Sequence, residues 1–296
     1  MNSQITKTFI PLLLALCAGV LPAFNVAMAA PSLKFIRTID TDDLFGEDFF
    51  IAGNPDLSGV GFPPKANTLV LLNQPAGRAS IILAEPPKNI TGTVLRTPLV
   101  IPDSINTAFD SVSQRAKGQG QFRLFLFDAD LGELIAVKAR SRNVMDSKNI
   151  RRFDAQKFGI GNPQGMTVDP ATGKLFVLDS AGPRIAAIQP KLRRNFTGAA
   201  VTPISLGGLA GKLRGIAFNP ADSHLYILST EQQALYKLTL DGELVDTINL
   251  SGLKIDVPQG MAFAPSLDPT DHPSIFHLYL LSAKGLSGEA TEWALR

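Results

Sequence analysis

The apolar positions of this chain fall in short runs separated by Gly, Pro, Asp, Asn and Ser, and three pairs of runs repeat almost residue for residue. The first members are Pro163-Gln164-Gly165-Met166-Thr167-Val168-Asp169-Pro170, Leu213-Arg214-Gly215-Ile216-Ala217-Phe218-Asn219-Pro220 and Pro258-Gln259-Gly260-Met261-Ala262-Phe263-Ala264-Pro265. The second members are Lys174-Leu175-Phe176-Val177-Leu178-Asp179, His224-Leu225-Tyr226-Ile227-Leu228-Ser229 and His277-Leu278-Tyr279-Leu280-Leu281-Ser282. Runs this short, rich in β-branched and aromatic residues and bounded by turn residues, predict buried strands. The best-preserved copy adds two more. Ala234–Leu240 alternates apolar and polar, Asp241-Gly242 is a hairpin dipeptide, and Glu243–Leu250 follows as a fourth strand. Each unit therefore predicts four antiparallel strands.

The glycines at 165, 215 and 260 set steps of 50 and 45 residues. Self-similarity at that period, in four-stranded units, predicts an all-β propeller built of four-stranded antiparallel blades. Weaker copies precede the three, at Leu57–Phe62 with Thr68–Asn73 and Ala79–Leu83, then at Ile105–Asp110 with Phe122–Asp128 and Glu133–Val137. The expected count is five blades. A six-bladed ring requires one copy to have diverged within residues 40–54 or 143–161. The last copy stops at Leu295 in its third strand, and Leu33–Asp40 resembles the fourth strand Leu244–Asn249. The N-terminal strand is therefore expected to complete the last blade and close the ring, which leaves no open edge.

The cassette Pro-x-Gly-Met/Ile-x-Phe/Val-x-Pro, followed by Leu-Phe/Tyr-Val/Ile-Leu-Asp/Ser, resembles NHL-type and related YncE- or SMP-30-like propeller repeats of secreted proteins. The resemblance covers Gly161–Arg296 well and Leu33–Arg142 by pattern. It implies a fold and no particular reaction. Related propellers that hydrolyse lactones or phosphate esters hold a divalent metal at the channel with carboxylates, one of them a Glu before the strand-one glycine. Here those positions are Ser58, Gln164, Arg214 and Gln259, a departure that counts against such a metal hydrolase.

Composition adds location. Lys7, the apolar run Phe9–Val20 and the small-x-small triplet Ala27-Met28-Ala29 form a secretory signal pattern, so residues 1–29 are expected to be a signal peptide and 30–296 one propeller domain. The competing reading is an N-terminal membrane anchor over Phe9–Ala30. Either way the domain is expected to be secreted or periplasmic, with no membrane attachment once the signal is cleaved. The single cysteine, Cys17, lies inside that leader, so the mature domain relies on its core, and a chain that is 45% hydrophobic supplies one. A net charge of +2 without a long basic block gives no nucleic-acid footprint.

Topology names candidate residues. The residues just before each inner strand and the loops between second and third strands share the top face, where a concave rim is the default binding site. That sets Ser58, Asn106, Gln164, Arg214 and Gln259 around the channel mouth, with Asn73, Asp128, Asp179, Glu231 and Lys284 in an outer circle. Gln164 and Gln259 share a repeat position and either cap the neighbouring strand's backbone or meet a ligand. Arg214 either holds an anionic ligand bidentately or clamps blades together through Asp179 or Glu231. Asp128 and Asp130 resemble a calcium-loop fragment of incomplete spacing, and a Gly-ended turn explains them more simply. The three histidines, His224, His272 and His277, align at the opposite face, so no histidine triad or histidine metal site is expected at the mouth.

Two function classes follow. The first is a non-catalytic propeller that binds a protein, polysaccharide or small ligand at the top face, with no catalytic residue, no metal ligand and no cofactor. The second is a metal-dependent hydrolase of the lactonase or phosphoesterase type, which would bring a divalent metal.

Overall fold

The computed structural model describes residues 31–39, 57–61, 69–73, 80–84, 93–96, 107–113, 121–128, 131–139, 150–191, 195–209, 211–253, 255, 258–266, 268, 270–272, 274–284 and 287–296. The predicted signal peptide and Asn106 lie outside the described residues. Strand β1 (Leu33–Ile39) is followed by β2 (Leu57–Gly61), β3 (Leu69–Asn73), β4 (Ser80–Ala84) and β5 (Thr93–Arg96), which form one sheet in that order. β6 (Thr107–Ser113), β7 (Gln121–Asp128), β8 (Glu133–Ala139) and β9 (Ile150–Asp154) form the next. β10 (Pro163–Val168), β11 (Leu175–Asp179), β12 (Arg184–Lys191) and β13 (Asn195–Ser205) form another. β14 (Leu213–Asn219), β15 (His224–Ser229), β16 (Ala234–Leu238) and β17 (Leu244–Asn249) follow. The last sheet joins β18 (Pro258–Pro265), β19 (Phe276–Lys284) and β20 (Ser287–Leu295) to β1.

Every paired neighbour is antiparallel, and the first strand of each sheet touches the first strand of the next: β2 with β6, β6 with β10, β10 with β14, β14 with β18, and β18 with β2. The chain is thus an all-β propeller of four-stranded antiparallel blades. The N-terminal strand completes the last blade, as expected, with Leu33 opposite Leu295 and Ile39 opposite Ala290.

The continuous apolar second strands have a physical reason. All five residues of β11 are buried, because its sheet is covered on both faces. Side chains alternate across a strand, so Leu175 and Val177 pack with Phe125, Ala136 and Phe196 on one side. Phe176 and Leu178 pack with Ile216, Phe218 and Ile227 on the other. The next interface repeats the scheme with Tyr226, Leu228 and Ile248 against Met261, Phe263 and Trp293. The core therefore lies between blades.

Gly165 sets how near β10 and β14 approach. A Cβ at Gly165 would lie 2.8 Å from the backbone nitrogen of Ile216 and 2.9 Å from the Cα of Gly215. Two residues further along the same pair of strands, the Phe218 amide donates to the Thr167 hydroxyl at 3.0 Å, a direct polar tie between blades.

Candidate functional site at the channel mouth

Three inner strands carry a register shift at the repeat position before the glycine. The ladder skips Ser58 between Leu57 and Gly59, Gln164 between Pro163 and Gly165, and Gln259 between Pro258 and Gly260. In β14 the skipped residue is Gly215 itself, between Arg214 and Ile216, and it holds φ 73°, a left-handed conformation that favours glycine. A bulge releases a residue from the ladder and re-aims its side chain, and bulges concentrate beside binding sites. Ser58, Gln164 and Gln259 thus coincide with a repeated backbone irregularity, and Arg214 adjoins one. The side chains of Ser58 and Gln259 lie outside the described residues, as do those of Asn73 and Lys284.

The described rim residues divide into spent and free groups. Asp179 is fully buried and accepts the amide hydrogens of Gly161 at 3.2 Å, Asn162 at 2.8 Å and Ala181 at 3.2 Å. Arg184, its cross-strand partner, pairs with it at 3.1 Å and also donates to the Gly159 carbonyl. Burial alone would raise the Asp179 pKa, but the amide donors of Asn162, Ala181 and Gly161 together with Arg184 hold it below the usual carboxylate range. Asp179 is therefore the anchor that folds the segment entering β10 onto its own hairpin.

Glu231 plays a lighter version of the same part by accepting the Lys212 amide at 3.1 Å before β14. Gln164 is buried, and its amide nitrogen lies 3.1 Å from both Asn162 Oδ1 and the Pro163 carbonyl. It caps its own chain, where the sequence pointed to a neighbouring strand. Asp128, also buried, accepts the Leu131 amide at 3.0 Å, which is the turn reading of that acidic stretch.

Arg214 differs from all of these. The clamp expected with Asp179 or Glu231 is absent: Asp179 is taken by Arg184, and Glu231 serves the Lys212 amide. Arg214 is exposed, and among the described residues no carboxylate pairs with it. It adjoins the bulged, left-handed Gly215 at the entrance to an inner strand. A free guanidinium there presents a planar fork of donors suited to a carboxylate or phosphate. Among the described residues no three His, Cys, Asp or Glu side chains gather as metal ligands.

A second polar cluster, at the other end of the last blade, was not singled out from sequence. Glu292 in β20 is completely buried. Its Oε2 accepts Arg37 Nε of β1 at 2.6 Å, and its Oε1 lies 2.7 Å from His277 Nδ1 and 2.9 Å from the Tyr279 hydroxyl. The available signal was a glutamate at the repeat position that holds Lys237 in β16 and Ala187 in β12, opposite an arginine in the strand that closes the ring. All three histidines lie away from the inner-strand entrances. His277 pairs with Ala264 at the far end of β18, His224 with Asn219 at the far end of β14, and His272 bonds Ser274 in the turn between β18 and β19.

Comparisons with known proteins give similarities of low sequence identity. No curated protein matches the chain by sequence. Among solved structures it is similar to a gluconolactonase of Xanthomonas campestris at 13% identity, over 90% of this chain and 87% of that one, with a TM-score of 0.49. It is also similar to virginiamycin B lyase of Staphylococcus aureus at 14% identity, over 89% of this chain and 74% of that one, with a TM-score of 0.43. A Bacteroides thetaiotaomicron protein of unknown function gives 13% identity, 90% and 76% coverage and a TM-score of 0.47. Residues 120–265, from β7 to the end of β18, match the family model described as SdiA-regulated.

Proposed function

We propose that this chain is a secreted or periplasmic five-bladed propeller that binds an anionic ligand at the mouth of its central channel. The observation that carries the reading is Arg214. It is the rim residue that the local structure leaves exposed and without a carboxylate partner among the described residues, while Asp179, Glu231 and Gln164 are bound into their own loops. The register shifts at Ser58, Gln164 and Gln259, one repeat position in three blades, support the same location, since such backbone irregularities concentrate beside binding sites. The ligand class is a carboxylate or a phosphate ester, either free or carried on a polysaccharide or a protein. The guanidinium fixes the anion through its planar fork of donors.

A thermal-shift panel of small carboxylates and phosphate monoesters tests this on the mature protein and on Arg214→Ala. The reading expects at least one anion that raises the wild-type midpoint and leaves the variant's midpoint unmoved. Equal shifts in both proteins, or none in either, would remove it. Metal analysis of the same preparation separates the hydrolase class, which requires a stoichiometric divalent ion lost with its ligand residues.

A further inference from the structure

Two fourth strands of this propeller are near copies that differ in charge. β1 reads Phe35-Ile36-Arg37-Thr38-Ile39, and β17 reads Leu244-Val245-Asp246-Thr247-Ile248. They match in burial position by position: the first two residues exposed, the charged residue half-buried, the threonine exposed, the isoleucine buried. They match in backbone as well. β1 skips Ile36 between Phe35 and Arg37 against β20, and β17 skips Val245 between Leu244 and Asp246 against β16. By shape and hydrophobicity, then, each strand fits the other's place.

The charges do not. Arg37 lies opposite Glu292 of β20, whereas Asp246 lies opposite Lys237 of β16. Glu292 and Lys237 occupy one repeat position, each opposite a tyrosine of the second strand, Tyr279 and Tyr226. Supporting groups are reversed too. Glu292 is held by His277 and Tyr279, while the Lys237 ammonium reaches Asp222 at 2.8 Å and Tyr226 donates to that same carboxylate at 2.7 Å. The corresponding position on β12 is Ala187, opposite Phe176 and Thr202, with no charge at all.

We infer that this reversed pair is a pairing code that directs the N-terminal strand to the edge of β20 and excludes it from the edge of β16. β1 precedes both edges in the chain, and β16 comes before β20, so the β16 edge is the earlier of the two that β1 could join. On β16, Arg37 would face Lys237, and on β20, Asp246 would face Glu292. Like charges set directly opposite across strands are destabilising, and here one member of each correct pair is partly or wholly buried. The β20 edge is therefore a strand-acceptor surface whose partner is a strand with a cation at the residue after its bulge.

Amide hydrogen exchange on the full chain, read separately on the β1 and β17 peptides, tests the code in Arg37→Met, Arg37→Glu, Glu292→Lys and Arg37→Glu/Glu292→Lys. Arg37→Met keeps the aliphatic stem and removes the charge. The code expects β1 protection to fall further in Arg37→Glu than in Arg37→Met, by roughly 100-fold against wild type. The exchanged-charge variant should protect β1 better than either of its single variants. Asp246→Lys against Asp246→Met provides the mirror test on β17 and does not depend on Glu292 variants folding. Equal loss in the Met and charge-reversed variants at both strands would overturn the inference, because the side chains would then matter for packing and not for charge.

Discussion

Replacing Gly165 with alanine tests the claim that this glycine sets the spacing of β10 and β14. The new Cβ would stand 2.8, 2.9 and 3.0 Å from Ile216 N, Gly215 Cα and Gly215 C, and all three atoms are backbone. Side-chain rotation cannot relieve such contacts, so β10 and β14 must separate. That strains the buried packing of Phe176 and Leu178 on Ile216 and Phe218. Overpacking of this kind costs about 1–3 kcal/mol. The unfolded chain offsets part of it, because alanine has less backbone freedom to lose, by about 0.4–1 kcal/mol. The central values leave a net loss of about 1.3 kcal/mol, which in a domain of this size lowers the melting midpoint by roughly 3–5 °C. Gly208 is the matched control, an exposed turn glycine whose added Cβ would meet nothing within 4 Å. Differential scanning calorimetry and urea unfolding of both variants decide the matter. If Gly165→Ala is as stable as Gly208→Ala, the glycine does not set blade spacing.

Asp179→Asn should cost about 3 kcal/mol in urea unfolding, since it weakens a buried acceptor of three amides and leaves Arg184 without its carboxylate. Its pKa is depressed in the folded state, so its stabilisation is complete above about pH 3.9 and fades as pH falls through the lower folded value. The wild type should therefore lose stability below about pH 4 more steeply than the asparagine variant, as a pH series of urea midpoints would show. Phe196→Ala should cost about 3–5 kcal/mol by thermal unfolding, because Phe196 is buried with its ring 5.1 Å from Phe125 and 6.2 Å from Phe153 across a blade interface. A loss under about 1 kcal/mol would mean that interface is not tightly packed.

The inner cassettes were legible because their chemistry is set by burial on two faces, which leaves a plain apolar run with a glycine at the close approach. Closure by the N-terminal strand was legible for a related reason: β1 repeats the hydrophobic order of β17. The rim was harder to read. Spacing gives the blade end on which Asp179 and Arg214 sit, but not which donors lie within reach once a hairpin turns. Asp179 meets Arg184, its cross-strand partner, and the amides of the segment before β10, so the carboxylate that spacing offered to Arg214 was already spent. Gln164 turns onto Asn162 and Pro163 at a position the strand ladder skips, and a bulge of that kind is not visible in spacing alone. The Glu292 cluster is not legible in sequence because a glutamate in a third strand ordinarily faces water, and its burial depends on His277 and Tyr279 of β19 and on Arg37, which lies far away along the chain.

The account stands or falls on the channel mouth. The decisive measurement is an experimental structure of the mature protein with the anion that best raises its melting midpoint. The account predicts the carboxylate or phosphate oxygens within hydrogen-bond distance of the Arg214 guanidinium, and no such density in Arg214→Ala. An anion seated elsewhere on the protein, with Arg214 in open solvent, would contradict it.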